Sequence, residues 1–471
     1  MMNRGRPGAV ACLLGLAVGV LAPGAATAAP TANPGAQGAA PNPAVHHFNV
    51  DQIWRTGNRG SGATVALPFP MTDAHPEREL ARRVPDCAVA SRVKFATPFA
   101  DTAPRCGVTP TPSDACEAGW SELILDISTI LSFAPDAQVL VVQAQPRTAA
   151  DEIGVHSLDE VLRAVDWITA GRHADVVSMS FDIAEAEPGA TQHLRQIDGP
   201  LARAYQAGIP VVAASGDCGS TDDVGAGDAR CGHVSRSPTV AWPASSPYVI
   251  AVGGLAPLGR LGYDPLWFSS GAGRSVLYNA PTWQARLAGH VTSRSVPDIT
   301  MGAQRATSES AAQFAAVLAL VVHAWHARFG PLPPGAVLPA LYALGAHGAA
   351  DGIVDVRSGN NTFQVCASPG SCLTVPGVAA GAGFDTASGW GTIDAARFVP
   401  ALVAAIGAPT ADRTASPKTR SSSTEARPDP TGPTSTAHRG NDEGPWAGVA
   451  ALAVVLGSIT GWAWRRHRRR P

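Results

Sequence analysis

The sequence predicts an α/β protein with a central parallel β-sheet, and two observations support this fold class. Short β-branched apolar runs, typical of buried strands, alternate with longer segments whose apolar residues follow a helical spacing. Such alternation implies crossover connections, which place helices on both faces of a parallel sheet. The predicted strands are 63–67, 138–143, 175–181, 209–215 and 248–252, and the predicted helices are 120–133, 158–170 and 194–207.

The composition excludes several classes of protein. Of the 471 residues, 45% are hydrophobic and 15% are charged, with a formal net charge of -2. A chain this apolar buries enough surface to fold, which excludes disorder along its whole length. The near-neutral charge gives no basis for nucleic-acid binding. We therefore expect a folded body without a nucleic-acid partner.

The N-terminus has the pattern of a secretory signal peptide. Residues 1–28 start with a basic segment, continue through an apolar run and end in Ala26-Thr27-Ala28, a small-x-small cleavage site. The alternative is a retained anchor, which Pro23 and Gly24 disfavour because they interrupt the apolar run. A short extension, 29–44, would then precede the body.

The C-terminus has the pattern of a membrane anchor. Residues 446–464 carry no charge, and an arginine-rich tail follows at 465–471. As a helix this segment spans about 28 Å, close to the ~30 Å hydrocarbon core of a bilayer. A buried helix of a soluble protein is the alternative. The arginines predict a cytoplasmic tail, a single-pass cell-membrane protein and an extracellular body at 45–405, joined to the anchor by the Pro/Ser/Thr-rich linker 406–445.

A second apolar segment, 311–325, is predicted to lie inside the body. It is nearly all apolar but includes Gln313 and His323. Its length is too short for a membrane span, so we predict a helix buried in the protein core.

Seven cysteines remain after the predicted signal, in an oxidising compartment that permits disulfides. Cys218 with Cys231, and Cys366 with Cys372, are close enough in sequence to pair. The remaining cysteines, whose pairing the sequence leaves open, are Cys87, Cys106 and Cys116.

Two acidic side chains form the first candidate site. Glu122 and Asp126 are four residues apart on a predicted helix, beside its buried stripe. Repulsion and burial separate the pKa values of paired carboxylates, which suits them to proton transfer. The alternative is an ordinary solvated helix face.

Two further candidate site residues lie at the ends of predicted elements, one after a strand and one at the start of a helix. Asp217 follows the strand 209–215, at the carboxyl edge where parallel sheets place their ligand sites. Ser308 opens the buried helix, where the helix N-terminus favours developing negative charge. Taken singly, a turn residue and a helix N-cap are the simpler interpretations.

A glycine-rich segment and two aspartates form a candidate calcium site. Carboxylates and backbone carbonyls are hard oxygen ligands of the kind that Ca²⁺ prefers. A pair of turns is the alternative. The candidate residues are Asp355, Val356, Gly381, Gly383 and Asp385.

In this order the segments resemble the sedolisin family of serine-carboxyl peptidases, over residues 48 to about 400. The helix 120–126 resembles the Glu-x-x-x-Asp helix of that family, and Thr307-Ser308 resembles its nucleophile motif. Further matching segments are Ser178-Met179-Ser180, Ala214-Ser215-Gly216-Asp217, Ser270-Gly271-Ala272-Gly273, Val296-Pro297-Asp298, Asp355-Val356 and Gly381-x-Gly383-Phe384-Asp385.

The resemblance implies a subtilisin-like three-layer fold, one structural Ca²⁺ ion and hydrolysis of peptide or protein substrates. Ser308 would be the nucleophile, Glu122 its general base, Asp126 the residue that orients Glu122, and Asp217 part of the oxyanion hole. Asp217 can donate a hydrogen bond only when neutral, and a glutamate base stays ionised in mild acid. An acyl-enzyme mechanism favoured at acid pH is therefore expected.

Several positions depart from the family pattern. Ala306 stands where a glycine is usual, so its methyl group is expected to disturb a tight turn. Glu309 adds charge beside Ser308, and Phe69 and Phe181 stand where an acidic residue and a tryptophan are usual. The segment before position 48 is also too short for the large propeptide of the family. The alternatives are a catalytically inactive relative that binds peptides or partners, and a histidine-based subtilisin.

Overall fold

A computed structural model describes most of the predicted body. The described residues are 42–99, 106–107, 114–144, 158–224, 231–256, 259–287, 291–303, 306–368 and 371–407. The predicted signal peptide, the membrane segment 446–464, the tail and nearly all of the linker lie outside these residues, so they stay predictions.

Strands and helices alternate along the described chain. The strands are β1 (Thr64–Phe69), β2 (Val93–Ala96), β3 (Gln138–Gln143), β4 (Val176–Met179), β5 (Ile183–Ala184), β6 (Val211–Ala214), β7 (Ala241–Trp242), β8 (Val249–Leu255), β9 (Gly273–Asn279), β10 (Ser293–Val296), β11 (Ile299–Gly302), β12 (Ile353–Val354), β13 (Phe363–Ser368), β14 (Ser371–Val375) and β15 (Thr392–Ile393). The helices are α1 (Pro43–His47), α2 (Val50–Trp54), α3 (Pro76–Arg83), α4 (Cys87–Ala90), α5 (Asp114–Phe133), α6 (Asp159–Gly171), α7 (Ala190–Ile197), α8 (Gly199–Gln206), α9 (Thr282–Ala285), α10 (Thr307–Phe329), α11 (Val337–His347) and α12 (Ala395–Gly407).

The central sheet has seven parallel strands in the order β11-β8-β6-β4-β1-β3-β2. The predicted parallel α/β fold is thus confirmed, and each of the five predicted strands is present. Two edge strands, β2 and β11, were not predicted. Both have only four residues, and Lys94 breaks the apolar pattern of β2, so their sequence signal is weak.

Each face of the sheet packs against its own layer of helices, which gives the three-layer fold that the sequence predicts. Side chains alternate between faces along a strand. In β6, for example, Val212 and Ala214 belong to the core that contains α5, α10 and α12, whereas Val211 and Ala213 belong to the core that contains α6 and α8.

Helix α10 runs through the first of these cores. It is buried from Thr307 to Val322 and packs against α5, α12 and strands β4, β6, β8 and β11. The predicted buried helix is confirmed. Among the described residues, it is the one helix long and apolar enough to cross a membrane. Its place inside the protein accounts for that composition.

One predicted helix is divided in two. The prediction of a single helix over 194–207 was wrong, because α7 ends at Ile197 and α8 begins at Gly199. Pro200 lies in the first turn of α8. A proline there lacks the N–H that a continuous helix requires, and the first turn is the position at which helices tolerate it.

A buried ion pair explains the Val296-Pro297-Asp298 segment. The Arg294 guanidinium donates to both carboxylate oxygens of Asp298 at 2.6 Å, and both side chains are fully buried. The Tyr342 hydroxyl donates to Asp298 Oδ1 at 2.7 Å, and the Ala251 N–H donates to Oδ2 at 2.8 Å. With its oxygens satisfied in this way, the aspartate ties the end of β10 to β8 and α11.

The structure also decides the cysteine pairing. Cys218–Cys231 and Cys366–Cys372 are disulfides, as predicted. Of the three remaining cysteines, Cys106 and Cys116 form the third disulfide, and Cys87 is an exposed free thiol.

Candidate active site

The carboxylate pair on α5 lies against the end of strand β4. Asp126 is buried, and the Ser180 hydroxyl lies 3.0 Å from each of its carboxylate oxygens. Burial raises the pKa of Asp126 well above its usual range, the neighbouring Glu122 charge raises it further, and the Ser180 hydrogen bond offsets part of this. Asp126 therefore does not lie on a solvated helix face. Its burial beside Glu122 favours the neutral form of its carboxyl group.

The role of Ser180 as a hydrogen-bond donor to Asp126 was not predicted from the residues alone. It directly follows β4, at the carboxyl edge of the sheet, and a short hydroxyl side chain at that edge is the signal in the sequence. The signal is weak because serine is also common in ordinary turns.

Asp217, which follows β6, contacts the first turn of α10. Its Oδ1 accepts the Thr307 N–H at 2.7 Å and lies 2.9 Å from the Thr307 hydroxyl oxygen. That hydroxyl also accepts the Gly216 N–H at 3.2 Å. The N-cap residue itself, Ala306, makes no side-chain cap bond, so Asp217 satisfies an N–H that a helix start would otherwise leave open.

Ser308 is the second residue of α10 and is 6% exposed. It directly follows Thr307, the residue that Asp217 contacts, and so lies at the positive end of a long helix dipole. It is therefore not the N-cap that the simpler interpretation supposed. Ala306 has φ -162° and ψ 160°, an extended conformation that any residue adopts, so the expected disturbance by its methyl group is absent.

These contacts bring four segments together at one edge of the sheet. Strands β4 and β6 are neighbours. Ser180, which follows β4, hydrogen-bonds Asp126, and Asp217, which follows β6, hydrogen-bonds Thr307. Helices α5 and α10 pack against each other above them. The structure thus places the four predicted catalytic residues on elements that meet at the carboxyl edge.

Two phenylalanine side chains that depart from the family pattern pack against each other. Phe69, at the end of β1, meets Phe181, which follows Ser180, with ring centroids 5.2 Å apart. Both rings join the core on the side of α5.

The candidate calcium residues also come together. The Gly383 N–H donates to Asp355 Oδ2 at 3.2 Å, which joins the two segments. Asp355 Oδ1 is buried and has no hydrogen-bond partner among the described residues, as expected of an oxygen meant for a cation. Asp385 differs, because its oxygens accept from the backbone N–H groups of Gly381, Ala387 and Ser388 and from the Ser388 hydroxyl. The donor chemistry fits calcium, and binding would replace part of that hydrogen bonding.

The chain is similar to known peptidases. Residues 114–332 match the model of the subtilase family, and this range contains all four predicted catalytic residues. Kumamolisin from Bacillus sp. (strain MN-32) is 28% identical over 332 residues, covering 63% of this chain and 53% of that protein. Sedolisin from Pseudomonas sp. (strain 101) is 26% identical over 307 residues, covering 60% and 49%. The chain therefore spans about half the length of these curated relatives.

A solved structure shows the same fold. Pseudomonas sedolisin, a serine-carboxyl proteinase complexed with two molecules of pseudo-iodotyrostatin, superposes with a TM-score of 0.55 at 20% identity, over 73% of this chain and 93% of that one. The parallel sheet, the buried helix α10 and these similarities define a subtilisin-like fold, and the proteins that share it here are serine peptidases. The similarity to kumamolisin and to sedolisin supports a member of the sedolisin family.

Proposed function

We propose that the protein is a membrane-tethered, extracellular serine-carboxyl endopeptidase that works in acid through an acyl-enzyme. The observation that carries the proposal is the contact between Asp217 and Thr307, because it brings a potential oxyanion donor beside Ser308. Export by residues 1–28, anchoring by 446–464 and a body at 45–405 complete the proposal from the sequence.

Glu122 would be the general base. A pair of neighbouring carboxylates is more stable with one shared proton than with two negative charges. The raised pKa of Asp126 leaves that proton on Asp126. Glu122 then stays ionised and can accept the Ser308 hydroxyl proton as the serine oxygen attacks the carbonyl carbon of the substrate. Asp126, held by Ser180, orients Glu122.

Asp217 would stabilise the oxyanion. Its Oδ1 already accepts the Thr307 N–H, so the proton that makes it a donor must lie on Oδ2. A neutral Asp217 and the N-terminus of α10 then share the negative charge of the tetrahedral intermediate. Collapse breaks the C–N bond, and Glu122 returns its proton to the leaving amine. Water, deprotonated by Glu122, hydrolyses the resulting ester and frees Ser308.

The test is cleavage of a denatured protein substrate by the full chain between pH 3 and 8. We expect activity in acid, because the mechanism requires a neutral Asp217 together with an ionised Glu122, and we expect Ser308→Ala to lower kcat at least about 10³-fold. Ser310→Ala is the matched control, because Ser310 lies on the same helix and its hydroxyl donates to the Met301 carbonyl in the core.

Other outcomes would identify the alternatives. Cleavage that persists in Ser308→Ala would disprove the proposed nucleophile. A folded protein that cleaves at no pH would be a peptide-binding relative, consistent with the buried Glu309 beside Ser308. A neutral optimum would indicate a histidine-based enzyme.

We propose one structural Ca²⁺ ion, bound by the carboxylates of Asp355 and Asp385 and by backbone oxygens of Val356, Gly381 and Gly383. The ion would supply positive charge that holds the loop 381–389 against β12. Chelation of the full chain is expected to lower the melting temperature by several degrees, because a ligand that binds only the folded state stabilises it.

Calorimetry with and without chelator measures the effect, and the Asp355→Ala variant should not respond to chelator. Asp351→Ala is a control, because Asp351 lies nearby but ion-pairs with His347. A wild-type melting temperature that ignores chelator would contradict the calcium site.

A further inference from the structure

Two carboxylates outside the proposed catalytic set face one point beside Gly216. A Cβ atom built on Gly216 would lie 3.5 Å from Asp182 Oδ2 and 3.7 Å from Asp222 Oδ2. Asp182 lies between β4 and β5, and Asp222 lies in the segment that follows β6, so the two acidic side chains come from connections after neighbouring strands. Neither residue was predicted from the sequence, because each alone resembles an ordinary turn residue.

Asp222 carries a buried oxygen that the protein does not satisfy. The side chain is 6% exposed, and its Oδ1 accepts the Asp223 N–H at 2.9 Å. Its Oδ2 has no hydrogen-bond partner among the described residues. Burial raises the pKa of Asp222 well above its usual range, and the charges of Asp182 and Asp223 raise it further. A buried oxygen of this kind requires a proton or a cation.

The third carboxylate nearby has other partners. Asp223 accepts the Cys231 N–H at 2.7 Å and the His233 N–H at 3.3 Å. The disulfide Cys218–Cys231 closes this loop onto the end of β6. Asp223 therefore binds the backbone at Cys231 and His233, whereas Asp222 Oδ2 faces Gly216.

The point beside Gly216 lies next to the proposed reaction centre. The Gly216 N–H donates to the Thr307 hydroxyl, one residue before Ser308. Asp217 directly follows Gly216, so a substrate carbonyl that binds at Asp217 would bring the side chain of its own residue near Gly216. Gly216 has no side chain, and the atoms nearest to its Cβ position are Ala241 Cβ and Asp182 Oδ2 at 3.5 Å and Asp222 Oδ2 at 3.7 Å, so a group placed there would be in contact with both carboxylates.

We propose that Asp182 and Asp222 form a specificity subsite for a lysine or arginine side chain on the residue whose carbonyl is attacked. This inference rests on the proposed peptidase function. A cation placed between the carboxylates satisfies the buried Asp222 oxygen and removes their mutual repulsion. Arginine is the better occupant, because its planar guanidinium can donate to both carboxylates at once.

The test separates binding from catalysis. Isothermal titration calorimetry of the full-chain Ser308→Ala variant at pH 6 would compare two acetylated tetrapeptide amides that end in arginine or in citrulline. Citrulline matches the shape of arginine without its charge. We expect the arginine peptide to bind at least about 10-fold more tightly, because truncating one partner of a buried charge pair is costly. Asp222→Asn and Asp182→Asn, each added to Ser308→Ala, should reduce that ratio, and Asp222→Asn should bring it close to one.

The added change Asp166→Asn is the control, because Asp166 ion-pairs with Arg203 on the surface and should leave the ratio unchanged. Equal affinity for the two peptides, or no binding of the arginine peptide, would overturn the subsite. Wild-type cleavage after arginine and citrulline at equal rates would overturn it too while leaving the peptidase proposal intact. Loss of all cleavage together with a preserved arginine preference in binding would instead overturn the peptidase and retain the subsite.

Discussion

Glu122→Gln is expected to lower kcat by at least about 10³-fold at the acid optimum, because an amide does not accept the serine proton. The change keeps the shape of the side chain, so KM should change little. Steady-state kinetics on a defined peptide separates the two constants. The size of the loss follows from the usual contribution of general base catalysis, about 10²–10⁴-fold, and from the absence of a histidine in the proposed mechanism.

A matched control lies on the same helix. Glu117→Gln removes a carboxylate of α5 that ion-pairs with Arg83 at 2.7 Å, and it should leave kcat unchanged. If Glu122→Gln retains wild-type kcat, Glu122 is not the base and the carboxylate mechanism is wrong. A large rise in KM with unchanged kcat would assign Glu122 to substrate binding instead.

Raising the pH from 4 to 8 is expected to destabilise the folded protein by several kcal/mol. Asp198 contributes to this loss of stability, because burial raises its pKa from 3.8 to about 7. The pKa is lowered only in part by the nearby polar side chains of Ser246, Trp242 and Tyr278. Neither carboxylate oxygen of Asp198 makes a hydrogen bond of normal geometry among the described residues.

The direction follows from proton binding. Between pH 3.8 and about 7 the folded state keeps the Asp198 proton that the unfolded state has lost. The stabilisation is fully present below pH 3.8 and is lost as the pH rises to about 7, at most about 4 kcal/mol in all. Burial raises the pKa values of Asp126, Asp222 and Glu185 as well, which adds to the same trend.

Thermal unfolding from pH 4 to 8 measures this effect. The Asp198→Asn variant should lose a substantial part of the decline in melting temperature toward neutral pH. Asp136→Asn, which removes a partly exposed carboxylate paired with Arg59, should keep the wild-type decline. A wild-type melting temperature that is constant or rises over this range would contradict the prediction. Stability in acid would match the acid activity proposed for the site.

The core of the fold was predictable because its signals are local. Strand β3 was predicted with the bounds that the structure has, and α10 was recognised as buried from its length and composition. Helix α5 begins six residues before the predicted 120, because the apolar pattern of its first turns is interrupted at Glu117 and Gly119. Weak local patterns thus account for errors at element ends and at the edges of the sheet.

The candidate site was predictable only in part. The family resemblance selected Glu122, Asp126, Asp217 and Ser308, and the structure places them on elements that meet at one edge of the sheet. The resemblance did not reveal that Ser180 hydrogen-bonds Asp126 or that Asp217 caps α10. It also did not reveal that Asp182 and Asp222 converge on Gly216. Each of these contacts joins residues that are distant in sequence, and spacing along the chain carries no information about such distances.

The sequence by itself determined the parallel α/β fold, the buried helix, two disulfide pairs and the residue types of the reaction. Only the tertiary structure decided the Cys106–Cys116 pair, the partners of Asp298 and which carboxylates are buried. The physical reason is that periodicity and turn chemistry act over a few residues, whereas the pKa of a carboxyl group depends on every charge, donor and apolar surface that folding brings around it.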